Sequence, residues 1–112
     1  MIKPYRRRYL LFKAITSQRK IDWNNVKKAI FESFQILFGI TGLSKANLIF
    51  IHYDEENGRG ILRCNHTNLD NVRASLAFVQ TAGGEKISLN VLTVSGTIKT
   101  LKEAASKINV KQ

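Results

Sequence analysis

An α+β sandwich, a four-stranded antiparallel sheet with two helices on one face, is the fold class that the sequence predicts. Three observations predict it. Strand-like runs at 7–16, 46–54, 59–66 and 86–95 are interleaved with two stretches of helical spacing after Asp22 and after Asn68. The middle two runs are separated only by Glu55-Glu56-Asn57-Gly58, so they pair as a hairpin. The resulting order is β-α-β-β-α-β with a trailing helix, the split βαβ or ferredoxin-like arrangement. At 112 residues, without linker, repeat or low-complexity tract, one domain spanning 1–112 is expected, burying roughly two thirds of its unfolded surface.

The elements follow in chain order. "RRYLLFKAIT", Arg7 to Thr16, is aromatic, β-compatible and free of breakers, and reads as the first strand. Asp22 is placed as an N-cap, after which Trp23, Val26, Ile30, Phe34 and Leu37 form one apolar stripe, and Gly39 is expected to stop the helix. Thr67 or Asn68 caps a second helix in which Leu69, Val72, Leu76 and Val79 face the core, and Gly83-Gly84 is expected to end it. After the last strand, Ile98, Leu101, Ala105 and Ile108 stripe a short terminal helix.

Charge is the unusual feature of the composition. Eighteen Lys and Arg against eight Asp and Glu give +10, more of one sign than solubility requires. Residues 1–21 carry seven basic side chains (Lys3, Arg6, Arg7, Arg8, Lys13, Arg19 and Lys20) and no acid, whereas Asp54, Glu55 and Glu56 are adjacent. A polyanion partner is therefore expected. Cys64 is the only cysteine, so no internal disulfide or cysteine-based zinc site can form, and an intracellular chain is expected. The apolar run "YLLF" stops at Lys13 with no cleavage motif after it, which fits neither a signal peptide nor a spanning helix.

No catalytic constellation is expected. His52 falls opposite Ile61 and His66 opposite Asn47, too far apart along the ladder for a metal pair, and the three adjacent acids read as a solvated turn rather than as converging carboxylates. An RNA recognition motif would carry a basic residue, glycine and alternating aromatics on its third strand; here Arg59-Gly60-Ile61-Leu62-Arg63-Cys64 lacks the aromatics. That disfavours a base-stacking sheet, although Tyr9 on strand one could stack. Phosphate contact is the better expectation, through Arg6, Arg7 and Arg8. A second candidate is "VSGTIKTL": Ser95 and Thr97 are good caps, Gly96 permits close backbone approach, the first helical N–H groups are expected to be unpaired, and Lys99 and Lys102 extend the site. Ile36 and Phe78 lie off the core stripes of their helices and mark faces for a protein partner.

Taken together, "RRRYLLFKA", "GILRCNHTNLDNVRASLAFV" and "VSGTIKTL" resemble, in this order and over nearly the whole chain, the family of ribonuclease P protein component 2, the small subunit of archaeal ribonuclease P shared in eukaryotes by ribonucleases P and MRP. The resemblance implies a ferredoxin-like or RRM-like sandwich and a role in trimming the 5′ leader from precursor tRNA. In that role the RNA supplies the active site and its magnesium ions, and the protein binds no cofactor of its own. It implies contact with the ribonuclease P RNA and pairing with a TIM-barrel-like protein subunit, as a heterodimer or a heterotetramer. By position, Arg8, Tyr9, Arg63, Arg73, Gly96, Thr97 and Lys99 match the motif residues. The compact chain suits an archaeal form, which would be cytoplasmic, better than a eukaryotic one, which would be nuclear. Two rivals fit less well. An acylphosphatase needs a phosphate-cradling glycine-rich loop where this chain has "SQRKID", and a general RNA-binding module needs the missing aromatics.

Overall fold

The computed structural model describes residues 6–16 and 22–102. Strand β1 (Arg7–Ile15) is followed by helix α1 (Trp23–Ala46), the hairpin β2 (Ile49–Asp54) and β3 (Arg59–Asn65), a 3-10 turn (His66–Asn68) and helix α2 (Leu69–Phe78). Two short strands, β4 (Thr81–Ala82) and β5 (Glu85–Lys86), then lead to β6 (Ser88–Ser95). A last helix, α3, is described over 98–102; Ala105 and Ile108 of the expected stripe, and most of the loop "SQRKID", lie outside the described residues. The main sheet has the order β2-β3-β1-β6 with every neighbouring pair antiparallel, which is the ferredoxin-like arrangement.

β1 is central, and both of its faces are covered. Leu10, Phe12 and Ala14 pack with Val26, Ile30 and Phe34 of α1 and with Val72 and Leu76 of α2. Leu11 points the other way, into a small second cluster with Ile61 of β3 and Leu101 of α3. Two-sided cover explains why three consecutive residues, Leu10, Leu11 and Phe12, are at most 1% exposed, where an amphipathic edge strand would alternate. Full burial of each such side chain contributes about 1.5–3 kcal/mol.

Asp22 caps α1 as expected, its Oδ1 accepting the N–H of Asn25 at 2.8 Å. The hairpin reinforces that end, because Glu55 Oε2 accepts the Trp23 N–H at 3.1 Å and sets a carboxylate at the positive end of the helix. The acidic turn is thus structural as well as solvated: Asp54 Oδ1 accepts the N–H of Glu56 at 3.0 Å, and its Oδ2 accepts the Asn57 amide at 2.6 Å. Gly58 closes the turn with φ +67°, its N–H donating to the Asp54 carbonyl at 2.8 Å.

Two boundary expectations are corrected. Gly39, with φ 76° and ψ 176°, ends the first helical stretch as expected, but a second stretch follows and runs to Ala46, capped by Asn47 in the left-handed region, so β2 begins at Ile49 rather than at residue 46. Next to that break Leu37 is 38% exposed rather than part of the core stripe. Helix α2 ends at Phe78, before the glycines, as Val79 turns extended. Gly83 and Gly84, with φ 60° and 82°, instead form the two-residue loop of the β4–β5 hairpin, the left-handed pair that a type I′ turn requires. Asn68 does occupy the N-cap position of α2, but its side chain makes no capping hydrogen bond.

Candidate nucleic-acid interface

The antiparallel register brings distant segments into single rows across the sheet. Tyr9 pairs with Arg63 on one side and with Ser95 on the other, and one step along the strands Leu11 pairs with Ile61 and Thr93. Alternation puts Arg7, Tyr9, Leu11, Ile61 and Arg63 on the face away from α1 and α2. That face carries α3, because Leu101 is fully buried with Leu11 and Ile61 and against the partly buried Tyr9 and Ile51. An open base-stacking platform is therefore not what the sheet presents, and Tyr9 is half-buried beside α3.

The end of the sheet where β1 begins and β6 finishes is basic. Arg6 and Arg7 are exposed there and Arg8 is half-buried. The Arg6 carbonyl accepts the His66 N–H at 2.8 Å and lies 3.2 Å from His66 Nδ1, tying the arginine run to the exit of β3. Arg8 pairs with Cys64, and its guanidinium reaches the Ser95-Gly96-Thr97 turn: a Cβ built on Gly96 would stand 3.7 Å from Arg8 Nη1. That is ordinary van der Waals contact, so the Arg8 guanidinium lies directly beside Gly96. Burial pushes the Cys64 thiol up to about 11 although nearby Arg8 opposes the shift, which leaves a neutral, inert thiol under the basic end.

The turn itself differs from expectation. Ser95 Oγ accepts the Thr97 N–H at 3.1 Å, and Thr97 Oγ1 accepts the Thr100 N–H at 3.4 Å while sharing a 2.8 Å hydrogen bond with the Thr100 hydroxyl. One N–H of the first helical turn, that of Thr100, and the N–H of Thr97 just before it are thus taken by the caps themselves, which narrows what the backbone here can offer an anion. Lys99 and Lys102 are both exposed on α3, as are Gly96 and Thr97 in the turn.

The structure brings together Arg6, Arg7, Arg8, Tyr9, Arg63, Gly96, Thr97, Lys99 and Lys102 around one end of the sheet, with Arg7, Tyr9 and Arg63 on the face that carries α3 and Arg8 alternating to the other. Arg73 stands apart, exposed on α2 in the layer on the opposite face. Ile36 and Phe78 are 70% and 48% exposed on the helix layer, and Ile40, at 71%, extends the apolar surface beyond the Gly39 break. Leu101 was legible only as one member of a helical stripe; its partner surface follows from the fold. Arg59 and Gly60 serve the architecture. Arg59 is 5% exposed between Asp54 and Lys13 in the register, and Gly60 makes room for aromatic rings. His52 lies opposite Ile61, as expected. Among the described residues no group of three or more His, Cys, Asp or Glu side chains is placed to hold a metal ion, and no helix is long and apolar enough to cross a membrane.

A ferredoxin-like sandwich whose concentrated chemistry is arginine and lysine on one end of its sheet defines a class of small basic domain suited to a polyanion. The chain belongs to the Rpp14/Pop5 family, whose model matches residues 8–106. It is 38% identical over 95 residues to "Ribonuclease P protein component 2" of Thermococcus gammatolerans, covering 85% of this chain and 78% of that protein. The protein of the same name from Pyrococcus furiosus is 37% identical over 97 residues (87% and 80%), and that from Methanosarcina mazei 35% identical over 98 residues (88% and 82%). Among solved structures, a chain in the cryo-EM structure of yeast ribonuclease MRP superposes with a TM-score of 0.69, covering 98% of this chain and 97% of that one at 16% identity, and so shares its fold.

Proposed function

We propose that this protein is the small protein subunit of ribonuclease P, which binds and supports the RNA that removes the 5′ leader from precursor tRNA and supplies no catalytic group itself. The observation that carries the proposal is the row Arg63–Tyr9–Ser95 in a member of this family: it joins the arginine run, the third strand and the Ser-Gly-Thr turn into one cationic surface, although they lie far apart in sequence. Arginine forks at Arg6, Arg7, Arg8 and Arg63 match phosphate oxygens bidentately, and Lys99 and Lys102 add point charges that need no base identity. The magnesium ions are assigned to the RNA, as the resemblance to the ribonuclease P subunit implies. Ile36 and Phe78, on the layer opposite the cationic face, are assigned to the TIM-barrel-like protein subunit, so the two partners occupy different sides. An archaeal, cytoplasmic setting accords with the archaeal relatives.

The test is reconstitution. Added with its barrel-like partner to a ribonuclease P RNA at low magnesium, the protein is expected to raise specific 5′ cleavage of precursor tRNA; incubated with precursor tRNA and magnesium alone, it is expected to give none. Specific cleavage by protein stripped of RNA would overturn the non-catalytic assignment. Equal cleavage with and without the protein would overturn the subunit role.

A further inference from the structure

We propose that Leu101 is a positioning residue for RNA binding: by seating α3 on the sheet face away from α1 and α2, it holds Lys99 and Lys102 where they meet RNA phosphates. The inference rests on the cationic surface proposed above and adds the group that gives it shape. Of the described residues of α3, Leu101 alone is fully buried, at 0% exposure, and it lies among Leu11, Ile61, Tyr9 and Ile51, which come from β1, β3 and β2. α3 leaves the end of β6 at an edge of the sheet, so reaching those residues carries it across the sheet.

At about 100° per residue, Leu101 facing the sheet turns Lys99 nearly to the opposite side and Lys102 to the flank, with the two lysines about 60° apart. Both are exposed, as that geometry requires. Local sequence supplies little of this order. Thr97 and Ser95 fix where the helix starts, but three β-branched residues and a glycine lie within 96–100, and short helices are marginal without tertiary packing. Cations already held in place bind phosphates without the ordering cost of long flexible side chains on a loose segment. Arg7 and Arg63 stand on the same face by strand alternation, so seating α3 also completes a surface that the sheet alone would leave partial.

The experiment is a double-mutant cycle on the full chain bound to its barrel-like partner, with a ribonuclease P RNA as probe and log affinity followed against log salt. The Lys99→Gln/Lys102→Gln variant is expected to lower the slope by up to about two units. Leu101→Ala is expected to lower the slope as well, although it removes no charge, and Leu101→Met to restore it. Added to the lysine variant, Leu101→Ala should cost nothing further, because the cations it places are already gone. If it instead weakens the lysine variant by the same factor as it weakens the parent, the positioning role is wrong while the lysine contacts stand. An unchanged slope in the lysine variant would overturn the contacts themselves, and the proposal with them. Should circular dichroism show that Leu101→Ala loses the fold, Leu101→Val carries the same comparison.

Discussion

Phe12 of β1 lays its ring over Gly60 of β3, the residue directly across the ladder. A Cβ built on Gly60 would come within 2.6 Å of Phe12 Cε1, with an even closer contact to Cζ, and within 3.0 Å of Tyr53 Cδ1. The rings concerned form one stack: Trp23 and Tyr53 lie 4.8 Å apart at 6°, and Phe12 is 6.5 Å and 6.3 Å from them. Gly60→Ala is therefore expected to destabilise the protein by about 1–3 kcal/mol, the usual range for forcing atoms into a packed core. Denaturant unfolding measures it, and adding Phe12→Leu should recover part of the loss. A Gly60→Ala variant as stable as the parent would show that the stack adapts without strain.

Ser33 on α1 donates from Oγ to the Ser75 carbonyl on α2 at 2.6 Å, both residues being buried. Ser75 is in the last turn of α2, whose carbonyls have no partner farther along the helix. Ser33→Ala is expected to cost about 1–3 kcal/mol, because it leaves that buried acceptor unsatisfied. Hydrogen exchange should show the loss concentrated at the end of α2 if the bond acts as this geometry indicates.

The Asp54 carboxyl is held below its ordinary value of 3.8, chiefly by the Asn57 amide and further by the N–H groups of Glu56 and Asn57 and by nearby His52, against an opposing effect of burial. A depressed folded-state value means that the carboxylate stabilises the protein above its unfolded-state pKa, and that this contribution is lost as pH falls through the folded-state value. Asp54→Asn should therefore lower the urea midpoint at neutral pH, and the gap to the parent should close on acidification from about pH 5 to about pH 2. A gap independent of pH would mean that the turn does not depend on the charge.

Ile36→Glu and Phe78→Glu should leave the fold within about 0.5 kcal/mol of the parent, since both side chains are largely outside the core. Each is expected to weaken association with the barrel-like subunit by about tenfold or more, as when a charge enters an apolar contact. Co-purification with that subunit at parental affinity would move the partner surface elsewhere.

Much of the architecture was legible in the sequence because it follows from short-range preferences. Asp22 caps because its side chain reaches the N–H three residues on, Val26, Ile30 and Phe34 are buried because they share one helical face, and Glu55–Gly58 turns because Gly58 accepts a positive φ. The errors share a cause. Gly39 and the Gly83-Gly84 pair were correctly marked as places where the backbone leaves the right-handed regions, but whether a chain then ends a helix, resumes it or turns a hairpin depends on what lies across from it. The candidate surface divides in the same way. Its arginines, lysines and caps were visible as residues, whereas the pairing of Tyr9 with both Arg63 and Ser95, the capture of the turn's N–H groups by Ser95 and Thr97, and the seat of Leu101 on Leu11 and Ile61 were not. Chemical character and local conformation are properties of neighbouring residues, and the sequence by itself determines them. Which distant strands align in rows across the sheet and which face a helix covers are set by contacts between residues fifty or more positions apart, and those only the tertiary structure decides.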